Sequence, residues 1–291
     1  MQEGTASRTA EGAAAARALH LRGSETPVFA DPYAAALTSA TWRRLVTSPL
    51  LAWFMDRIAM RSFRPVQGQV VVRSRYAEDV LGRSLGAGVR QYVVVGAGFD
   101  SFALRRRDLE GSLEVFELDH PATQALKMQR LQVVDEELPA NLHFVAVDFE
   151  RETVADALAR STFDSAQPAF FSWLGTTPYL TAEATLATFA AIASIAADGS
   201  EVVFDYLVPD DSLPQSEQPV MRKLRKYTEQ RGEPLIGAFE PQALRDALRA
   251  LGYAWLEDLD CEAQVTRYFA GRQDGLRPMA GAHLVHVRLG R

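Results

Sequence analysis

Residues 91–106, QYVVVGAGFDSFALRR, hold the first chemistry-bearing pattern in the chain. Gly96-Ala97-Gly98 can turn the backbone sharply and let a ligand lie against bare main chain, because glycine has no Cβ and adopts positive φ freely. An apolar run of aromatic and β-branched residues, Tyr92 to Val95, precedes the turn, and Ser101-Phe102-Ala103-Leu104 resumes with helical spacing. Such a run is the mark of a strand buried on both faces of a parallel sheet. A glycine turn between that strand and a helix is where open α/β sheets bind nucleotides. A full dinucleotide fingerprint wants a third small residue in G-x-G-x-x-G/A, and Ser101 stands there, so taken alone the loop has two readings, a cofactor loop or a plain tight turn.

Two carboxylates follow at the spacing a nucleoside requires. The stretch from Leu113 to Leu118 has the pattern of a second strand and ends on Asp119, about twenty residues after the glycines, where an acid can accept both hydrogen bonds of a ribose diol. A third strand pattern, Leu142 to Val147, ends on Asp148. An acid there can take the exocyclic amine of adenine while the ring packs on Phe149. The competing reading is that strand-end acids cap helices or line solvent loops; three strand ends agreeing favours the binding site.

In order and spacing, these stretches together with Asp31-Pro32-Tyr33-Ala34, Arg73-Ser74-Arg75-Tyr76, Glu117-Leu118-Asp119-His120-Pro121 and Leu174-Gly175-Thr176-Thr177-Pro178-Tyr179-Leu180 resemble the leucine carboxyl methyltransferase-like branch of class I S-adenosylmethionine-dependent methyltransferases. Its bacterial members include polyketide carboxyl methyl-esterases, and the resemblance covers nearly the whole chain. It implies an α/β fold: a Rossmann-like seven-stranded methyltransferase sheet with helices on both faces and an N-terminal helical cap. It also implies S-adenosyl-L-methionine as cofactor, held by Gly96, Ala97, Gly98, Asp119, Asp148 and Phe149. Many relatives carry a glutamate where this chain has Leu174, so any adenosyl contact relying on that acid is absent or made by backbone.

Arg73 and Arg75 are candidates for the cofactor's methionine carboxylate, which a guanidinium can grip bidentately. The resemblance gives that role to the first arginine of the motif, Arg73. Against both stands a surface reading, in which RSRYAED pairs its arginines with Glu78 and Asp79 at helical spacing.

A sulfonium methyl is already activated, so the protein must mainly hold a nucleophile in line with it. A carboxylate acceptor needs no general base, whereas an alcohol or phenol benefits from one. Of the five histidines, His143 falls within a strand, His283 and His286 lie near the C-terminus, and His120 precedes Pro121 at an expected helix start. No His–Asp dyad stands out in the sequence, and no catalytic residue is assigned. This favours O-methylation of a carboxylate on a small organic acid. Tyr33 and Tyr179 are candidates for positioning it, since a phenol can donate to a carboxylate from an apolar wall; each reads equally well as a core or surface tyrosine. The alternatives are a hydroxyl-directed O-methyltransferase, a non-catalytic nucleotide-binding protein and a nicotinamide dehydrogenase.

Composition bounds the rest. With 291 residues, 47% hydrophobic and 23% charged, the chain suits one large domain or two small ones. A net charge of −6 with both signs dispersed gives no footprint for nucleic acid. The single cysteine, Cys261, permits no internal disulfide and points to no metal site; it reads as a buried small hydrophobe. The N-terminus, MQEGTASRTAEG, has acids and no apolar core, which predicts no signal peptide. No run is long enough to span a bilayer, so the expected setting is cytoplasmic, with a small-molecule acceptor and no membrane partner. Oligomeric state has no signature in the sequence.

The elements that must position these residues follow from patterning. Residues 1–90 read as a helical cap and N-terminal region, with helices over Ala13–Leu21, from Ala34, and over Thr41–Met60 with a break at Pro49. Residues 91–291 read as the S-adenosylmethionine-binding core, continuous with the cap. Ala169 to Leu174 suits strand four, Thr181 caps a helix to about Ala197, and Ser200 to Asp205 suits strand five. Residues 208–220, with three prolines, read as a loop or cap insertion. Pro241 opens a helix closed by Gly252, and Tyr253–Leu259 with His283–Leu289 suits a closing antiparallel pair.

Overall fold

The computed structural model describes residues 8–134, 137–230 and 232–290; the expectation for the extreme N-terminus lies mostly outside the described residues. Four helices come first: α1 (Arg8–Gly23), α2 (Ala40–Thr47), α3 (Pro49–Phe54), which runs into a π turn at Met55–Ala59, and α4 (Arg64–Gly86). The alternating part follows as β1 (Gln91–Val95), α5 (Phe102–Arg105), β2 (Glu114–Asp119), α6 (Pro121–Val133), β3 (Leu142–Ala146), α7 (Val154–Ala159), β4 (Phe170–Trp173), α8 (Ala182–Ile195) and β5 (Glu201–Leu207). Then come α9 (Gln218–Glu229), α10 (Pro241–Ala250), β6 (Tyr253–Leu259), α11 (Cys261–Gln264) and β7 (Ala282–Leu289).

The seven strands form one sheet in the order β3-β2-β1-β4-β5-β7-β6. Pairings among β1 to β5 are parallel, and β7 runs antiparallel to both β5 and β6. The order reverses between β1 and β4, the switch point at which open sheets leave a crevice at their strand ends. Alternate residues of each strand serve opposite faces. Val93, Val95, Phe116, Leu118, Phe171 and Phe204 pack with helices α7, α8 and α10 on one face. Tyr92, Val94, Val115, Phe170 and Val203 pack with α4 and α5 on the other.

Local signals set many boundaries. Thr181 Oγ1 accepts from Ala184 N at 3.2 Å, capping α8 as expected. His120 caps α6, its Nδ1 accepting from Ala122 N at 3.2 Å. Cys261 is buried and unpaired. Three expectations need correction. Residues 34–37 form turns, because Asp31 Oδ1 takes Tyr33 N and Asp31 O takes Ala34 N; the helix waits for the Ser39 cap. The segment after the glycines makes a single turn, Phe102–Arg105, before Arg106 leaves helical geometry. The proline-rich stretch 208–220 gives way to α9 at Gln218, with Pro219 in its first turn where a missing N–H costs nothing. Helix α4 lies within the sheet's own helical layer: Val71, Val72, Tyr76 and Val80 are fully buried in it, so of the four N-terminal helices it belongs with the sheet and not with a separate cap.

Candidate active site

Parallel register brings the predicted residues to one edge. Val95 pairs with Leu118 and Asp119 with Ala146, so the glycine loop, Asp119 and the residues after β3 emerge side by side. The loop is anchored by Gly96 N and Ala97 N donating to Leu118 O at 2.9 and 3.0 Å. Gly96 and Gly98 have φ of 68° and 55°, values that a residue with a Cβ adopts only with strain. A Cβ on Gly96 would lie 3.0 Å from Thr176 Oγ1, and one on Gly98 would lie 3.0 Å from Ala10 Cβ. The glycine turn is thus clasped between the β4 exit and the first turn of α1.

Asp119 is 9% exposed, and its two oxygens accept from Gly98 N at 2.5 Å and His120 N at 2.6 Å. Burial raises its carboxyl above the ordinary aspartate range, against the lowering effect of those two N–H groups. The Thr123 side chain adds to that lowering; a carboxylate has about four acceptor sites, so the acid is oriented with capacity left to accept. Behind it, Glu117 and Lys127 form an ion pair at 2.5 Å, both almost completely buried. Burial pushes Glu117 up to about 7 despite the ammonium. Asp148 sits past β3, its Oδ1 accepting from Glu150 N at 3.1 Å, and the neighbouring Phe149 ring is 42% exposed.

Arg73 and Arg75 part company. Arg73 lies against the β4 exit, where Gly175, at φ 71°, has no Cβ to collide with its guanidinium. Its Nη1 stands 3.4 Å from Asp205 Oδ2, while Asp205 Oδ1 accepts from Gly175 N at 2.5 Å. Arg75 pairs with Asp79 at 2.8 Å and lines a surface depression with Arg83, Glu257 and Arg267, away from the strand ends. Two residues apart on a helix, the pair points to different sides.

Tyr179 is held near Arg73 and Asp205 and bonds Thr9 of α1; burial raises its phenol above the usual range, so it stays a neutral donor at physiological pH. Tyr33 is half-buried beside Phe99, Leu104 and Leu131. Both tyrosines therefore border the first turn of α1, where Ala10 packs into the Tyr33 cluster. Asp31, beside Tyr33 in sequence, is 1% exposed and ties the cap to the glycine loop. Arg17 Nε reaches it at 2.8 Å, Arg105 Nε at 3.9 Å, and Arg17 Nη2 also donates to Phe99 O at 2.6 Å. Ser101, the residue in the third fingerprint position, bonds Asp31 and accepts from Arg105 Nε at 2.9 Å. Burial alone would raise the Asp31 carboxyl; Arg17 and Arg105 overcome it and hold it below the ordinary range.

Asp205, Gly175 and the first turn of α1 carried no site assignment from the sequence. Asp205 could have been found: the sequence pattern closes strand five on it, the signal that singled out Asp119 and Asp148, although β5 runs on to Leu207. The position of α1 over the glycines had no local signal.

A seven-stranded sheet of this order with a glycine turn after β1 places the chain among Rossmann-like methyltransferase folds. It superposes on a Thermobifida fusca structure described as a "putative methyltransferase" with a TM-score of 0.59, at 15% identity, covering 100% of this chain and 97% of that one. A DUF574 family protein of Streptomyces avermitilis gives 0.61 at 11% identity, covering 94% and 96%. Residues 10–193 match the profile of the leucine carboxyl methyltransferase family. A Bacillus subtilis relative named "Putative S-adenosyl-L-methionine-dependent methyltransferase YktD" is 34% identical over 217 residues, 75% of this chain and 71% of that one. A Mycobacterium bovis relative of the same description is 33% identical over 201 residues, 68% of this chain and 63% of its own length. The chain belongs to the leucine carboxyl methyltransferase family, and it is an S-adenosyl-L-methionine-dependent methyltransferase.

Proposed function

We propose that the protein methylates a carboxylate of a small organic acid, yielding a methyl ester. The strand-end residues fit the cofactor. Gly96 and Gly98 leave the β1 exit without side chains. Asp119, held by two N–H groups, would accept from the ribose diol. Asp148 would take the adenine amine beside the exposed Phe149 ring, and Arg73 would grip the methionine carboxylate. Arg75, turned to the other side, is not part of this set. Bound S-adenosyl-L-methionine supplies an activated methyl group, and the protein's own residues bring an acceptor to it and exclude water. Thr9 and Ala10 close the crevice between Tyr179 and Gly98. Tyr179, near Arg73 and Asp205, and Tyr33, beside Phe99, are the candidates for orienting the acid.

The observation that carries the carboxylate reading is where the imidazoles lie. His20 accepts from Val28 N inside the cap, and His120 caps α6. His143 pairs with Glu114 and His286 with Glu201. His283 pairs with Asp258 at 2.7 Å, a dyad the sequence did not announce, but it stands across the strands from Tyr206, on the sheet face opposite Asp205. Among the described residues no histidine stands beside Arg73, Gly175 and Tyr179. The family profile, which is that of a leucine carboxyl methyltransferase, supports the same reading.

Asp205 favours one second reading. It is a buried carboxyl beside Arg73 and could take a proton from a hydroxyl acceptor. The two readings separate in a homocysteine-release screen of small acids and matched alcohols. A carboxyl product gives methanol on mild alkaline treatment, and single His→Ala changes then leave turnover within about tenfold, less than the 10²–10⁴ typical of a lost general base. An alkali-stable product, or a thousandfold loss in His120→Ala or Asp205→Asn with cofactor affinity intact, would replace the carboxylate reading with the hydroxyl one.

A further inference from the structure

The cap turns a strip of large apolar side chains to solvent. Leu50, Leu51, Trp53, Phe54 and Ile58 are 81, 45, 60, 47 and 55% exposed. Leu51, Phe54 and Ile58 follow helical spacing along α3 and the π turn after it, while Ala52 and Met55 pack inward against α1. The segment therefore has an apolar inner face, used by the cap, and an apolar outer face that nothing among the described residues covers. Single exposed apolar residues are ordinary; five within nine positions are a patch.

The charge around this patch is predominantly positive. Residues 40–64 contain five arginines and one aspartate in a chain whose net charge is −6. Helix α9 abuts the same segment. Lys223 Nζ bonds Ser62 Oγ at 3.0 Å and lies 5.8 Å from the Phe63 ring centroid, and the Phe63 and Tyr227 rings stand 4.7 Å apart. Its residues 218–229 add Arg222, Lys223 and Lys226 against Glu229, whereas Arg225 is paired with Asp210 at 2.8 Å and Arg64 of the cap stands 3.7 Å from Asp274. Arg44, Arg61, Arg222 and Lys226 are exposed.

We propose that this face of the cap docks the protein peripherally onto an anionic lipid surface, with Leu50, Trp53 and Phe54 among the headgroups and the cap and α9 cations over acidic phosphates. Leu, Trp and Phe beside Arg and Lys are the residues that settle at a bilayer interface, and each cation near an acidic leaflet adds to the attraction. A second copy of the chain fits less well, because a two-fold interface would set the same positive rim against itself. No helix among the described residues is long and apolar enough to cross a membrane. The proposal departs from the sequence expectation of no membrane partner, which rested on the lack of a spanning run. The proposal does not depend on which acceptor is methylated.

The test is co-sedimentation of the full-length protein with vesicles of equimolar phosphatidylglycerol and phosphatidylcholine, against phosphatidylcholine alone. Binding is expected on the anionic vesicles, weakening as ionic strength rises. Leu50→Ser with Trp53→Ser, and separately Arg44→Glu with Arg222→Glu, are each expected to weaken binding at least about tenfold. Both variants should keep wild-type melting temperature and S-adenosylhomocysteine affinity, which separates a lost surface from a lost fold. No binding, equal binding to both vesicles, binding unchanged in the variants, or light scattering showing a dimer that the Leu50/Trp53 variant dissociates, would overturn it.

Discussion

Two positions along an α-helix is a rotation of about 200°, and for Arg73 and Arg75 that rotation separates a strand-end guanidinium from a surface ion pair. Arg73→Ala is expected to weaken S-adenosylhomocysteine binding by about 2 kcal/mol or more, the order of a charge-assisted hydrogen bond, while Arg75→Ala leaves it unchanged. Titration calorimetry on both variants checks this; equal effects would remove Arg73 from the site. Asp119 holds Gly98 N and His120 N and is the acid proposed to accept from the ribose diol. Asp119→Ala should cost roughly 1.5–3 kcal/mol of cofactor affinity. An unchanged calorimetric constant in a folded protein would reject it as a ribose ligand.

Among elements, α1 carries the coupling between cap and core. It is latched through Arg17 to Asp31 and Phe99 O, and its Ala10 covers Gly98. Gly98→Val should therefore lose cofactor binding and also displace α1, since a side chain there meets both a positive φ and the Ala10 methyl. Faster proteolysis of the N-terminal segment alongside lost binding is the expected pair of results. Asp31→Ala leaves Arg17 and Arg105 buried without that partner and should destabilise by about 3–5 kcal/mol, measured by denaturant unfolding.

The same helix gives a pH dependence. His20 is buried and its Nε2 accepts from Val28 N at 2.9 Å. Burial, with Arg272 nearby, lowers its pKa from 6.5 to about 4. The folded state therefore binds fewer protons than the unfolded one in this range. The stability His20 supports is present above pH 6.5 and falls as pH drops from there toward 4, by up to about 3 kcal/mol. His20→Gln should flatten that slope in urea unfolding between those limits; an unaltered slope assigns the acid sensitivity to other groups.

At the scale of the molecule, the strand order reverses between β1 and β4, and a cofactor held at those strand ends binds only the native chain. S-adenosylhomocysteine at a hundredfold its dissociation constant should stabilise by about 2.7 kcal/mol and raise Tm by about 5 °C. NADH should not. A nicotinamide-specific shift would turn the assignment toward a dehydrogenase.

The amino-acid sequence by itself determined the strands, most helices and the order of the strand-end acids. Those depend on period-two and period-3.6 patterning, on caps such as Thr181 and on glycines at positive φ, all of which act within a few residues. The family resemblance favoured Arg73 over Arg75, but helical patterning gave no ground for it, because the side of α4 that faces the sheet is set by packing against Tyr92 and Val94, not by RSRYAED itself. The sequence could not place α1 on Gly98 or Asp31 between Arg17 and Arg105, contacts spanning up to 88 positions (Ala10 to Gly98). Nor could it show that Leu50, Trp53 and Phe54 face outward, since the same residues would suit a core. Which apolar face is buried is decided when helices, strands and their charges are brought together, and only the tertiary structure does that.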